Sequence, residues 1–285
     1  MAEDSAFSQI VRVFSLSGDD QSIDVYHLNS GMTYYYKVTS QNFKGETSEL
    51  KRDSLRIDGQ VRMLHLSSLH NARDLGGWPV KGGRYVKYGL LYRGGEMNGE
   101  HFIQVSDADV AELRQYVGIR TELDLRSPDE LDLTPLPDDD IFSSALGSDI
   151  SYRRVSIQPS VKIDSLQPLY KECFDYILSC LRQGFPVNFH CWGGADRTGT
   201  LAFLLCGLLG VSQSDLDKDY ELTSFCDITG LCVRHSNRYA YKAMIELLEK
   251  QYSGRTLQDK IRNCFLKAGV SRHDIADFQR FMLSE

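Results

Sequence analysis

Apolar and polar positions follow two different patterns on either side of about residue 62. Before it, β-branched and aromatic residues alternate or cluster between turn signals such as Asn29-Ser30-Gly31, a pattern typical of antiparallel strands. The predicted strands are SIDVYHL, MTYYYKVTSQ and SLRIDGQV. After it, short apolar runs alternate with segments whose apolar residues recur every three or four positions. The pattern predicts a small all-β module over residues 1–62 and an α/β domain over residues 63–285.

The second part is predicted to alternate strands with helices. The predicted strands are GLLYRGG, IRTELDLRS, SYRRVSIQ and PVNFH. The predicted helices are Asp107–Tyr116, LQPLYKECFDYILSCLRQG, Arg197–Gly210, DLDKDYELTSF, RYAYKAMIELLEKQY, TLQDKIRNCFLKAG and DIADFQRFMLSE. This order predicts a largely parallel central sheet flanked by helices.

Composition narrows the classes of function. The chain has 285 residues, of which 42% are hydrophobic and 25% charged, so a disordered or fibrous protein is excluded. Its net charge of −7 does not favour nucleic acid or an acidic membrane. The apolar run Leu201–Val211 is too short to span a membrane and indicates a buried helix. The opening MAEDSAFSQ lacks a signal-peptide pattern, and the compartment stays open between cytoplasmic and exported.

Cysteine usage argues against both a disulfide framework and a metal site. The seven cysteines are an odd number at irregular spacing. Cys226, Cys232 and His235 lack the paired spacing of metal ligands, so no metal and no cofactor is expected.

The candidate chemistry lies in HCWGGADRTG, residues 190–199, between a predicted strand and a predicted helix. Glycines let such a loop bring its backbone amides close to an anion, and the helix N-terminus adds partial positive charge. The same field stabilises a thiolate at Cys191, which would then act as a nucleophile. Arg197 can bind two phosphate oxygens with its planar fork. The expected phosphate-binding residues are Trp192, Gly193, Gly194, Ala195, Thr198 and Gly199.

These parts together indicate attack of Cys191 on phosphorus and hydrolysis of a phosphocysteine by water, without a metal. Thr198 is placed to assist the departing thiolate, and His190 is expected to fix the loop by hydrogen bonding. The alternatives are a buried structural thiol beside a simple turn, and sulfur transfer. Gly194 and the Arg197-Thr198-Gly199 run favour phosphate over sulfur.

The motif resembles the signature HCxxGxxR[ST]G of the cysteine-dependent protein tyrosine phosphatase superfamily. The resemblance extends from about Met63 to Leu283 to a microbial branch that includes a secreted mycobacterial tyrosine phosphatase and a listerial lipid phosphatase. It is carried by NARDLGG, GRYVKYGLLYRGGEMN, GIRTELDLRSPDE, DYELTSF and KAGVSRHDI. LNSGMTYYYKVTSQNFKGETSEL also resembles the later strands of a fibronectin type III domain, but about 60 residues hold only a partial module.

Two departures from the branch bear on mechanism and substrate. The branch usually has Lys-Asp before the loop arginine, and this chain has Ala195-Asp196, which weakens an assignment to polyanionic lipid or inositol substrates. Trp78-Pro79 is followed by valine and lies in the wrong part of the chain to supply the usual acid. The candidates for the general acid are therefore Asp196, which is closest to the reacting oxygen, then Asp124, and Asp164. Asp124 has an equally good interpretation as the salt-bridge partner of Arg126 or Arg73.

Supporting roles are expected for a few residues outside the loop. Arg73 and Asp74 are expected to form a structural pair that braces the site, whereas Asn71 and Arg93 are weaker candidates for substrate contact. A basic pocket formed by Arg73, Arg84 and Arg93 would favour lipid or inositol phosphates.

The expected activity is that of a protein tyrosine or dual-specificity phosphatase, with a lipid or inositol phosphatase and a silent phosphate-binding module as alternatives. The β module either binds a partner or covers the catalytic domain.

Overall fold

The chain divides into two compact units, Met1–Arg62 and Met63–Glu285. The computed structural model describes residues 1–59, 61–98, 104–127, 143–157, 163–226 and 239–285, and within these ranges not the side chains of residues 163–167 and 239–240. The two units are the N-terminal unit and the C-terminal unit below.

The N-terminal unit contains an antiparallel pair of strands, β1 (Thr33–Gln41) and β2 (Thr47–Arg56), with a register irregularity between Val38 and Thr39. MTYYYKVTSQ forms a strand as predicted. The prediction of a strand at SIDVYHL is wrong, because these residues have no regular structure and His27 has a φ of +66°, which interrupts an extended backbone. SLRIDGQV contributes only its first three residues to a strand, since β2 begins earlier than predicted, at Thr47, and ends at Arg56.

The C-terminal unit is built on one six-stranded sheet. Its strands are β3 (Arg62–Met63), β4 (Arg73–Asp74), β5 (Leu91–Gly94), β6 (Thr121–Asp124), β7 (Ser151–Arg154) and β8 (Val187–His190). The spatial order is β3-β4-β5-β8-β6-β7, with β5, β8, β6 and β7 parallel and β4 antiparallel to β5. The last strand in sequence therefore lies between two earlier ones.

Seven α-helices accompany the sheet, close to the predicted positions. They are α1 (Asp107–Glu112), α2 (Ile163–Arg182), α3 (Arg197–Leu209), α4 (Gln213–Leu222), α5 (Tyr239–Gln251), α6 (Leu257–Lys267) and α7 (Arg272–Met282), within the ranges described above. A π-helical turn, Leu113–Val117, continues α1, and a 3₁₀ turn, Thr223–Phe225, follows α4. Serine or threonine side chains cap the N-termini of α1, α4, α6 and α7 by accepting a backbone N–H.

Helix α3 lies at the centre of the hydrophobic core. All thirteen of its residues are buried, because it packs against α4, α6 and α7 and against the strands β5 and β8. Tyr92 of β5 and Leu113 belong to a second cluster that covers α1. The predicted fold class, a largely parallel sheet flanked by helices, is confirmed. In the part of the chain that the structure describes, no helix combines the length and apolar character that crossing a membrane requires.

Candidate active site

The candidate site lies at the carboxyl end of the central strand. β8 ends at His190, and its neighbours β5 and β6 place Gly94 and Asp124 in register with it. Cys191 follows directly, and residues 191–196 form a loop that leads into α3 at Arg197. Ligands of parallel α/β sheets bind at this edge, where strands end and helices begin. The strand, loop and helix therefore lie as the sequence predicted.

The carbonyl groups of the loop accept hydrogen bonds from residues outside the loop. Three successive carbonyls accept hydrogen bonds, Trp192 from the Glu96 N–H (2.9 Å), Gly193 from Asn71 Nδ2 (3.2 Å) and Gly194 from Arg93 Nη2 (2.6 Å). In a trans peptide the next N–H points away from the carbonyl, so the amides of Gly193, Gly194 and Ala195 face the inner side of the loop. No backbone carbonyl of the described residues accepts these three amides. The arrangement is an anion nest.

Gly194 is required by the geometry of this loop. Its φ is +64°, and a Cβ at this position would lie 2.5 Å from the Gly94 carbonyl carbon and closer still to the carbonyl oxygen. Both atoms belong to the backbone at the end of β5 and cannot move aside as a side chain can. Only glycine fits between the loop and the strand.

Cys191 and Arg197 lie at the two ends of the loop. The Cys191 side chain is almost fully buried, and no disulfide engages it. Arg197 begins α3 and is also buried; its Nη1 donates to the carbonyls of Leu125 (3.4 Å) and Ile157 (3.3 Å), just beyond the ends of β6 and β7. The guanidinium is thus held at the same sheet edge as the loop.

The remaining loop residues differ in exposure. Trp192 and Asp196 are half-buried, and Ala195 is buried. Asp196 occupies the N-cap of α3, where its carbonyl accepts the Thr200 N–H at 2.8 Å and its side chain makes no capping bond. The fully buried Thr198 hydroxyl has no hydrogen-bond partner within the described ranges, so it is available to the sulfur or to a bound oxyanion.

A buried charge network lies under the start of the loop. His190 Nε2 bonds Glu122 Oε1 at 2.8 Å, and its Nδ1 lies 3.4 Å from the Cys191 carbonyl and 3.9 Å from Asp124 Oδ1. Burial alone lowers the pKa of His190, but the charge of Asp124 and the bond to Glu122 outweigh burial and raise the pKa above its ordinary value. The imidazole is therefore held in place, as expected, and its charged form is favoured.

Asp124 does not suit the role of general acid that the sequence allowed. It is fully buried, its two oxygens accept from Arg126 at 2.7–3.2 Å, and Tyr152 donates to it at 2.9 Å. Burial opposes ionisation, but the charges of His190 and Arg126 and the bond from Arg126 lower the pKa to about 2. A carboxylate that stays ionised cannot donate a proton at neutral pH. Its structural interpretation is correct, with Arg126 as partner.

The network also bears on metal binding. Glu122, Asp124 and His190 each have a ligand atom within 4.8 Å of the others, close enough to hold an ion. The Arg126 guanidinium, which also bonds Glu96 at 2.9 Å, already supplies positive charge to Asp124. The donor atoms are thus engaged with one another and with Arg126, which makes this set a poor metal centre.

Two candidates from the sequence lie wholly or partly outside the described residues. Cys232 and His235 lie outside the described residues, while the Cys226 thiol donates to the Thr223 carbonyl at 2.8 Å. The backbone of Asp164 lies in the first turn of α2, but its side chain is among those not described.

A second buried group, termed the bracing cluster, consists of Asn71, Arg73, Arg93 and Asp219. Asp219 of α4 accepts from Arg73 Nε at 2.8 Å and from Arg93 Nη1 at 2.5 Å. Arg73 also bonds the carbonyl and the side-chain oxygen of Asn71. Arg73 does brace the site, but Asp74 has other partners, the amides of Gly76 (2.7 Å) and Gly89 (2.8 Å).

The basic pocket considered from the sequence is not formed by the residues proposed for it. Arg73 and Arg93 are fully buried beneath the loop, where Asp219, Asn71 and Gly194 take their hydrogen bonds. Arg84 is exposed. Asn71 and Arg93, expected as weaker candidates for substrate contact, both donate hydrogen bonds to loop carbonyls, and contact with a substrate stays a prediction.

Sequence reasoning missed Asp219 and Glu122. Asp219 shares the buried face of α4 with Asp215, Leu216 and Tyr220, and an acid on the apolar stripe of an amphipathic helix is a signal that could have identified it. Glu122 lies in β6 with all four residues buried, and an acid within a fully buried strand carries the same signal.

The chain is similar to known proteins. Residues 64–273 match the tyrosine phosphatase family. A Cupriavidus necator protein named among the tyrosine-protein phosphatases is 31% identical over 177 residues, covering 55% of this chain and 61% of its own length. A Nostoc commune tyrosine-protein phosphatase is 31% identical over 144 residues, covering 42% of this chain and 45% of its own. The chain thus spans about half to three-fifths of these curated relatives.

Two solved structures resemble the chain at low identity. Pseudomonas aeruginosa TpbA aligns with a TM-score of 0.40 at 14% identity, over 66% of this chain and 91% of its own. The core catalytic domain of the PP-IP phosphatase SIW14 from S. cerevisiae aligns with a TM-score of 0.36 at 18% identity, over 55% and 79%. The family match covers most of the chain and confirms the predicted resemblance to tyrosine phosphatases. This chain belongs to the tyrosine phosphatase family.

Proposed function

We propose that this chain hydrolyses phosphate monoesters through a phosphocysteine on Cys191 and that its substrates are phosphorylated proteins, on tyrosine alone or with dual specificity. The observation that carries the proposal is the loop itself. Three of its carbonyls are bonded outward, its amides face inward, and Cys191 and Arg197 lie at its ends. Such a nest stabilises both a thiolate and the equatorial oxygens of a transferring phosphoryl group.

The reaction has two steps. The Cys191 thiolate forms a bond to phosphorus while the bond from phosphorus to the substrate oxygen breaks, and Asp196 gives its proton to that oxygen. Water then attacks phosphorus, Asp196 takes a proton back, and the sulfur leaves as a thiolate that the Thr198 hydroxyl stabilises. The products are the alcohol or phenol and inorganic phosphate. Arg197 binds two phosphoryl oxygens in both steps.

The choice of substrate class rests on charge. Arg73 and Arg93 are buried and committed to Asp219, so they add no cation to the mouth of the site. Ala195 stands where related phosphatases of the branch carry lysine. A substrate with several phosphate groups gains nothing from these three positions, which favours a single phosphate on a protein over a lipid or inositol phosphate.

The first test is turnover of p-nitrophenyl phosphate in EDTA by the wild type and by Cys191→Ser. Activity that survives EDTA and disappears in the variant supports the thiolate mechanism. A panel of phosphopeptides, phosphoinositides and inositol phosphates then tests the substrate class, and a preference for the lipids or inositols would overturn the protein assignment. A wild type that binds phosphate without turning over any substrate would indicate the silent phosphate-binding module.

The role of Asp196 requires a separate test. Asp196→Asn should slow hydrolysis of alkyl phosphates, whose leaving oxygen needs a proton, far more than hydrolysis of p-nitrophenyl phosphate, whose leaving group is stable as an anion. Equal losses for both substrates would mean that another group is the acid. Asp124→Asn is unsuitable as a comparison because it would leave Arg126 buried without its carboxylate.

We also propose that residues 1–62 form a separable partial fibronectin-like module, which either binds a partner or covers the catalytic domain. Its support is that each of the two units is compact by itself. A chain truncated to residues 63–285 should retain p-nitrophenyl phosphate turnover. Loss of turnover in a folded truncation would indicate that the module completes the catalytic unit.

A further inference from the structure

The bracing cluster links one carboxylate to two carbonyls of the phosphate loop. Asp219 divides its oxygens between two arginines, with Oδ1 accepting from Arg73 Nε and Oδ2 from Arg93 Nη1. Its backbone carbonyl accepts a further bond from Arg73 Nη2 at 2.8 Å. Both guanidiniums are therefore fixed by a single residue of α4.

Each arginine then reaches the loop by its own route. Arg93 donates directly to the Gly194 carbonyl at 2.6 Å. Arg73 bonds the oxygens of Asn71, and Asn71 Nδ2 donates to the Gly193 carbonyl at 3.2 Å. The orientation of two successive peptide units, and so the direction of the Gly194 and Ala195 amides, depends on these bonds.

The cluster also places net positive charge behind the loop. It holds two guanidiniums and one carboxylate, all buried. Burial and the charge of Arg73 lower the pKa of Arg93 to about 10, which leaves it protonated at neutral pH. Arg93 also reaches the start of α3, since a Cβ on Gly199, in the first turn of this helix, would lie 3.4 Å from Arg93 Nη2.

We propose that Asp219 is a positioning residue of the reaction, which acts through Arg93 and through Arg73 and Asn71 to keep the loop amides aimed at the transferring phosphoryl group. The inference rests on the proposed function of the loop. Preorganised amides stabilise the negative charge that develops on the phosphoryl oxygens in the transition state. Asp219 should therefore contribute more to binding of the transition state than to binding of the ground state.

The test compares vanadate, which mimics the five-coordinate transition state, with inorganic phosphate, which mimics the product. In Asp219→Asn we expect kcat for p-nitrophenyl phosphate to fall about 100-fold and vanadate inhibition to weaken to a similar extent, the range for loss of one oxyanion donor. Phosphate inhibition and KM should change by less than about threefold. Partial unfolding would lower the active fraction but would leave both inhibition constants unchanged.

A second variant covers the case in which Asp219→Asn fails to fold. Asn71 has a φ of +57°, so Asn71→Gly fits the backbone; it removes the side-chain bonds to Gly193, Thr223 and Arg73 and leaves the buried charge unaltered. It should weaken vanadate inhibition about 10-fold and leave phosphate inhibition nearly unchanged. The matched control is Asp217→Asn, on the same helix, whose carboxylate accepts from Tyr241 at 2.8 Å; its kinetics should stay within about twofold of wild type.

The outcomes separate this inference from the proposed function. An active wild type whose folded Asp219→Asn behaves like Asp217→Asn overturns the inference alone, as does Asn71→Gly with an unchanged ratio of vanadate to phosphate inhibition. A wild type without phosphatase activity overturns the proposed function, and this inference with it.

Discussion

Replacing Gly194 by alanine perturbs the candidate site by a single methyl group. The position combines a φ of +64° with backbone atoms of Gly94 at 2.5 Å or less from the new Cβ. Two costs therefore add. An alanine must adopt a left-handed conformation, and its methyl group must displace the end of β5 or the loop.

The magnitude of the destabilisation follows from these two costs. The left-handed conformation costs an L-residue about 1–2 kcal/mol. Forcing a methyl group into a packed backbone costs typically about 1–3 kcal/mol. The free energy of unfolding should fall by about 2–5 kcal/mol, which in a unit of this size lowers the Tm by roughly 5–15 °C. If the loop moves to relieve the clash, its amides no longer point at the phosphoryl group, and kcat should fall about 100-fold.

Gly184 offers a matched control for the conformational cost. Its φ is +74°, close to that of Gly194, and no atom lies within 4 Å of a Cβ built on it. Gly184→Ala should therefore cost only about 1–2 kcal/mol and leave kcat unchanged. Thermal unfolding and p-nitrophenyl phosphate kinetics of both variants separate the clash from the backbone conformation. If the two variants lose equal stability and both keep wild-type kcat, the assignment of Gly194 to the close approach is wrong.

Three further predictions concern the loop and the charges beneath it. Arg197→Lys should lower kcat about 100- to 1000-fold with little change in Tm, since a lysine cannot bind two oxygens with a planar fork, and an unchanged kcat would contradict this role. Thr198→Val should raise the free energy of unfolding by about 1 kcal/mol, because it removes a buried hydroxyl with no partner in the described part of the chain. It should also slow hydrolysis of the phosphocysteine and so produce a burst of nitrophenolate, and single-phase kinetics would count against a role of Thr198 in that step. Glu122→Gln should destabilise the protein most below about pH 6.5, because the raised pKa of His190 contributes stability that is lost as pH rises through that pKa. Urea unfolding measures the difference in stability between wild type and variant, and a difference that grows from pH 5.5 to pH 8.5 would refute the predicted direction.

The local sequence pattern was sufficient to predict where the loop at residues 190–199 lies between a strand and a helix. The residues of HCWGGADRTG are contiguous. The end of a strand, two glycines and the start of a helix place them around one point, and this placement does not depend on contacts with distant segments. The structure has β8 ending at His190 and α3 beginning at Arg197, as predicted. The helices other than α3 followed from apolar spacing, because such helices bury one face, whereas α3, which is buried on all sides, followed from its continuous apolar run.

Predictions failed where a residue's partner is distant in sequence. Arg73 and Arg93 looked like pocket cations, yet Asp219, 146 and 126 residues away, draws both beneath the loop. Asp124 was a candidate acid, yet the charge of His190, which is distant in the sequence, adds to that of the nearby Arg126, and together they outweigh burial and keep the carboxylate ionised. No local pattern carries such pairings, because they arise when α4 and the strands pack together.

The amino-acid sequence by itself determined the order of elements in the C-terminal unit and the position of the candidate loop between Cys191 and Arg197, because backbone preference and apolar period act over a few residues. Tertiary structure alone decided which charges face the ligand and which lie behind it. A charged side chain in a folded protein takes the role that burial and its nearest counter-charge allow, and both are set by segments that meet only after the sheet has formed.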